Sequence, residues 1–229
     1  MTLAAVDGSA VDVELVRSSL VPLLEGLVKG TLPVTGISFV LGLALALLVA
    51  LMRLSGNGLL SGAARAFVSL VRGTPLLLQL FIVFYGLPAI GLTIDPYPSA
   101  IIAFTLNVGG YASEAVRASI LAVPRGQWEA AATVGMGRTT TLRRVVLPQA
   151  SRIAVPPLSN TMISLVKDTS LASTVLVTEL LRKAQEIAAP SFDFFTLYGV
   201  AAVYYWVVCL LLSFGQDGLE TRLSRYVAA

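Results

Sequence analysis

The chain has 229 residues, a mean hydropathy of +0.82 and only 13% charged residues, which excludes an ordinary soluble domain and makes a polytopic, all-α membrane protein the expected class. It has no histidine and one cysteine, so the commonest general base, the commonest metal ligand and any intrachain disulfide are missing, and neither catalytic nor metal-binding residues are expected. The pI near 9.2 reflects a net charge of +3 carried by a few arginines, which membrane topology explains better than a nucleic-acid partner does.

Residues 1–25 carry Asp7, Asp12, Glu14 and Glu25. They lack the basic-then-apolar pattern of a cleavable signal and read as an extracytoplasmic N-terminal segment. A transmembrane domain is expected over 26–215, and a cytoplasmic tail over 216–229. A helix needs about 20 apolar residues to cross a bilayer. Five spans are expected, at 28–52, 66–88, 98–120, 154–178 and 195–214. The first and last are rich in Leu, Val and Ala, and Cys209 in the last reads as a small buried hydrophobe. The second is interrupted by Arg72-Gly73-Thr74-Pro75, where an interfacial segment is expected to turn upward at the proline.

Counts of Lys and Arg in the short loops set the orientation. Arg53 and Arg65 follow the first span, and Arg125, Arg138, Arg143, Arg144 and Arg152 follow the third against a lone Glu129. The loop near 89–97 has Asp95 and no base, and that near 179–194 is mixed. The alternation puts the N-terminus outside and the 121–152 loop and C-terminus in the cytosol.

In the third span, Asn107, Tyr111, Glu114 and Arg117 recur at helical spacing and share one face. Lipid cannot solvate such a stripe, so it should face protein or a watery cavity. Asn107 and Tyr111 are candidates for a substrate path. Glu114 and Arg117 read as an ion pair, either structural or gating. Gly109-Gly110 beside them marks either a close helix contact or a flexible point.

Between the third and fourth spans, Pro124 is a helix-start residue and Gln127 to Val134 form a short helix anchored by Trp128. Gly135-Met136-Gly137 stops it, the first glycine permitting a left-handed turn. Glu129 with Ala130 and Ala131 fits a helix lying deep in a partner's groove. The competing reading is an amphipathic loop resting on the inner leaflet, its arginines on lipid phosphates.

The fourth span holds Asn160, Ser164, Lys167, Asp168, Thr169 and Ser170 in an apolar setting, after Pro156-Pro157. A broken helix is expected there, exposing polar groups to a ligand. Lys167 or helix amides would meet a carboxylate and Asp168 an ammonium, or Lys167 and Asp168 would pair structurally. No GxxxxGK[ST] phosphate loop is present, so energy from ATP must come from another chain.

The ordered runs 126–131 and 147–150 (Gly126-Gln127-Trp128-Glu129-Ala130-Ala131 and Leu147-Pro148-Gln149-Ala150), with Gly135 between them, resemble the EAA loop of importer permeases powered by ATP-binding cassette subunits. Further runs are similar to permeases of the polar amino-acid uptake family. They include Arg72-Gly73-Thr74-Pro75-Leu76, Gln79-Leu80-Phe81, Tyr85-Gly86-Leu87-Pro88, Pro156-Pro157-Leu158-Ser159-Asn160, the run 164–171 and Glu179-Leu180. Leu51-Met52-Arg53-Leu54-Ser55 and the run 91–100 look most similar to L-cystine permeases. The resemblance covers roughly residues 25–225. It implies a bacterial plasma-membrane permease carrying a polar amino acid, cystine or a relative. Gln127, Trp128, Glu129, Ala130, Ala131 and Gly135 would act as its coupling helix. It also implies two ATPase subunits holding ATP and Mg, a second identical or homologous permease and an extracytoplasmic solute-binding protein. Two other classes stay open: an ion-coupled secondary carrier, which should show internal repeat symmetry, and a non-transporting membrane scaffold.

Overall fold

In the computed structural model, residues 13–224 are described, and among them there is no strand. Helix α1 spans Val13–Arg53, with a π-helical turn inside it. α2 spans Gly58–Gly73, and after a bend of 106° α3 continues over Leu76–Ile90. α4 is Pro96–Leu121, and α5 is the short Arg125–Thr133. A turn at Arg138–Thr141 leads into α6, Leu147–Asp168, which tightens into a 3₁₀ segment at Thr169–Val175. α7 is Leu180–Ser191 and α8 is Phe194–Ser224. About five passes therefore cross the membrane: α1, the bent pair, α4, α6 and α8.

By hydropathy alone only α1 and α8 qualify as spans, with the bent pair as a third. The reason is position in the bundle. α8 turns Phe195, Trp206, Leu211 and Phe214 outward, each at least 64% exposed, to a solvent that must be apolar. α4 is the central helix and buries Ala103, Phe104, Val108 and Ala112; of its polar stripe, Asn107 meets Gln79 and Glu114 meets Arg53, while Tyr111 stays exposed. Close approach makes this packing possible. A methyl group on Gly109 would sit 2.5 Å from Leu45 of α1, and one on Gly110 2.5 Å from Val71 of α2. Gly109-Gly110 is thus a contact site within a continuous helix.

Three π-helical turns interrupt the helices, at Leu27–Thr31, Ile82–Gly86 and Leu142–Val146. Each ends two residues before a proline: Pro33, Pro88 and Pro148. Proline has no N–H for the carbonyl four residues back, and its ring pushes that carbonyl away, so the preceding turn widens. The carbonyl that Pro33 frees is that of Lys29, and the Tyr97 hydroxyl donates to it at 2.7 Å.

Several boundaries differ from expectation. α1 starts at Val13, so residues 13–25 of the acidic segment are helical and pack against α7 and α8 through Leu23 and Leu27; residues 1–12 lie outside those described. Its charges are harmless because they stay outside the packed face, as with the exposed Glu25–Lys29 pair at 3.4 Å. The fourth span begins at Leu147, and Pro156-Pro157 does not break it. The break falls after Asp168, where the 3₁₀ segment ends at Leu176 with φ of 65°. The last span continues to Ser224, so 216–224 is helical, and 225–229 falls outside the described residues. Cys209 is partly exposed, its thiol facing the Ile163 carbonyl at 4.0 Å.

Candidate functional site: a polar cavity and a turned loop

At the bend between α2 and α3, Gly73 ends one helix and Pro75 precedes the next, with Thr74 extended between them at φ −122° and ψ 146°. The residue before a proline avoids helical geometry, which fixes the corner at Thr74. Gln79 then holds it. Its amide nitrogen donates to the Val71 carbonyl at 2.8 Å, the Thr74 carbonyl at 3.2 Å and the Thr74 hydroxyl at 3.0 Å. Its amide oxygen accepts from Asn107 Nδ2 at 3.3 Å, tying the corner to α4.

This corner walls one side of a cavity of about 420 Å³, a size suited to a small ligand. α4 contributes Asn107, Val108 and Tyr111, and α6 contributes Asn160, Thr161, Ser164, Leu165 and Asp168. Asn107, Tyr111, Asn160, Ser164 and Asp168, all candidates from sequence, are therefore brought together. The spacings 160, 164 and 168 repeat every four residues and line one face of α6. Arg72 lays its guanidinium over the Tyr111 ring, 5.5 Å from the centroid.

Lys167, Thr169 and Ser170, expected on the same path, do not line this cavity. Consecutive helix positions differ by about 100°, which turns the exposed Lys167 away from the side Asp168 faces. Thr169 is fully buried, its hydroxyl donating to the Val166 carbonyl at 2.6 Å, and Ser170 donates to the Lys167 carbonyl at 2.7 Å. Both hydroxyls satisfy carbonyls at the helix end. Cavity residues missed by sequence reading include Thr74, Leu76 and Thr161. The Arg72-Gly73-Thr74-Pro75 interruption was the available signal for the first two.

Glu114 does pair with Arg117, at 3.1 Å, but it also meets Arg53 of α1. The carboxylate is thus shared by two helices, and Arg53 was read only as a loop charge. Another residue given no role is Glu179. It is completely buried, caps α7 through the amides of Leu181 and Arg182, and accepts from Thr31 and from Tyr205 at 2.6 Å. Four donors satisfy a buried carboxylate without a cation.

At the far end of α4 lies the loop. α5 ends in a Schellman turn: Gly135 has φ of 77°, its N–H reaches the Ala132 carbonyl at 2.9 Å, and that of Met136 reaches the Ala131 carbonyl at 3.0 Å. Trp128 packs against the cluster containing Ile120, Val123, Val146 and Ala150, and Ala131 is buried on the same side. Ala130 and Ala131, expected together in one partner groove, differ in the structure: Ala130 is exposed, and Ala131, one helical step of about 100° on, is buried against the chain's own bundle. Glu129, Ala130, Thr133 and Val134 form the outward surface. Gln127 accepts from Gln149 at 3.1 Å, binding α5 to α6, and Arg138 donates to the Leu54 carbonyl at 3.3 Å, binding the loop to the end of α1.

A bundle with a cavity on its central helices and an outward-presenting loop at one end fits a membrane transport subunit, and residues 39–225 match the family described as binding-protein-dependent transport system inner membrane component. The chain belongs to that family. It is 56% identical over 222 residues to the L-cystine transport system permease protein TcyB of Bacillus subtilis (strain 168), covering 96% of this chain and 95% of that one. It is 36% identical over 205 residues to the glutamine transport system permease protein GlnP of Escherichia coli (strain K12), covering 89% and 94%. Among solved structures, an amino acid ABC transporter with histidines superposes with a TM-score of 0.87 at 31% identity, covering 93% of this chain and 99% of that chain. The MetNI methionine ABC transporter, at 21% identity and a TM-score of 0.70, shares the fold.

Proposed function

We propose that this chain is the permease subunit of an ATP-binding cassette importer for polar amino acids, that its substrate is L-cystine, and that the cavity holds that substrate during transport. The observation that carries the site reading is the convergence of Asn107, Tyr111, Asn160, Ser164 and Asp168 on one space of about 420 Å³. The substrate rests on the 56% identity to an L-cystine permease protein over nearly both full lengths. Asp168 would meet an ammonium group of the ligand. Arg72, stacked on the cavity residue Tyr111, would meet a carboxylate.

The loop is the site of coupling, with Glu129, Ala130 and Val134 seated in a groove on an ATPase subunit and Trp128 and Ala131 fastening α5 to the bundle. The assembly has two such ATPases holding ATP and Mg, a second permease copy or homologue, and an extracytoplasmic solute-binding protein. It sits in the bacterial plasma membrane with the N-terminus outside and the loop and C-terminus in the cytosol. ATP binding would close the ATPase pair, the loops would ride with it, and the cavities would face outward; hydrolysis would reset them. This is alternating access driven by differential stabilisation of two states.

The test is ATP hydrolysis by the assembled transporter, stimulated in turn by L-cystine, histidine, arginine, glutamine and glutamate presented with the binding protein. L-cystine should stimulate most. Maximal stimulation by another of the five would overturn the substrate, and solute movement without nucleotide would overturn the class.

A further inference from the structure

The hydrogen bonds around Gln79 carry information beyond the corner they stabilise. All three groups facing its amide nitrogen are acceptors. Two are backbone carbonyls, of Val71 and Thr74, and the third is the Thr74 hydroxyl, whose own hydrogen is given to the Leu70 carbonyl at 2.9 Å. A carbonyl cannot donate, so the end of Gln79 lodged in the corner has to be its NH₂. Its oxygen is then forced to face Asn107, and an oxygen there accepts only from the Asn107 NH₂. One amide is thereby fixed by the backbone and the next by the first.

We propose that Gln79 is a positioning residue that sets the Asn107 amide so that its oxygen, as a hydrogen-bond acceptor, is presented to the cavity. Together with Asp168 on the facing helix, this gives the cavity two acceptors converging from α4 and α6. Two acceptors of this kind select a ligand's ammonium group over an uncharged or anionic substituent at the same place. The inference rests on the reading that this cavity holds the amino acid. It adds that discrimination is set partly by Gln79, which does not itself line the cavity. Without Gln79, the Asn107 NH₂ loses its acceptor and is free to turn toward the Asp168 carboxylate across the cavity, an orientation that repels an ammonium.

The experiment is equilibrium binding to the purified, assembled transporter without binding protein. L-cystine is compared with 3,3′-dithiodipropionate, the same disulfide lacking both ammonium groups. Gln79→Leu should weaken L-cystine by about tenfold and leave dithiodipropionate within about twofold. In the Asn107→Asp background both side-chain oxygens are acceptors whichever way the group turns. There the same Gln79→Leu change should cost L-cystine less than about twofold. An equal loss of both ligands, or the same loss in both backgrounds, means that Gln79 only braces the corner and overturns the proposal. If Asp168→Asn and Gln79→Leu both leave L-cystine binding unchanged, the cavity is not the substrate site, and the underlying reading fails with it. A loss with Asp168→Asn but none with Gln79→Leu removes the positioning role alone.

Discussion

The loop around α5 draws its anchor and its stop from one short run, residues 125–137. The cavity draws its wall from segments spread between Thr74 and Asp168. In the loop, the stop has a local cause, Gly135 taking φ of 77°, and one residue, the partly buried Trp128, fastens the short helix to Ile120, Val123, Val146 and Ala150. In the cavity, the same chemistry exists only after α2, α4 and α6 have packed. A local device tolerates change around it. A non-local one is sensitive to the spacing between helices.

That contrast is most severely tested by size at two glycines. Gly110→Leu should force α2 off α4, because even a methyl there lies 2.5 Å from Val71, and yield of the assembled transporter should collapse. Gly137→Ala in the loop meets nothing within 4 Å and should leave yield unchanged. Equal tolerance at both positions would break the comparison. Next in size, Glu129→Ala should lower ATP-driven uptake by about tenfold or more, as loss of a central docking contact does, with assembly and substrate KM kept. Asp168→Asn should do the reverse, raising KM for L-cystine about tenfold with little change in maximal turnover. A rise in KM from the loop variant would mean that the two regions are not separable. The smallest effect belongs to Asn57, whose side chain caps α2 by accepting from the Leu59 and Leu60 amides. Asn57→Ala should cost about 1 kcal/mol of stability, read from thermal unfolding, and leave uptake untouched.

The same division explains what the sequence made legible. The loop was readable down to the Schellman glycine, since every signal lay in one run of residues. The exception is instructive: Ala130 and Ala131 look equivalent as letters, yet one helical step puts the second under the helix. On α4, periodicity points to Asn107 and Tyr111; on α6, polarity in an apolar span points to Asn160, Ser164 and Asp168 but takes in Lys167, Thr169 and Ser170 as well, because only a four-residue period separates the lining face from the rest. Periodicity could not find Thr74 or Gln79, whose roles depend on a bend of 106°. Nor could it pair Arg53 with Glu114, which are 61 positions apart and meet only because α1 packs along α4. Proline misled in one place and informed in another. Pro156-Pro157 sits inside an intact helix, whereas Pro33, Pro88 and Pro148 each widen the turn before them. Glu179 was quoted for family likeness alone, because its partners Thr31 and Tyr205 come from opposite ends of the chain.

The most direct measurement takes Glu129→Ala and Asp168→Asn through the same proteoliposome assay, recording L-cystine uptake and ATP hydrolysis together. The loop variant should lose solute moved per ATP at unchanged KM, while the cavity variant should keep that ratio at saturating substrate with a raised KM. Identical behaviour of the two variants, or an unchanged ratio and KM in both, would contradict this division of roles.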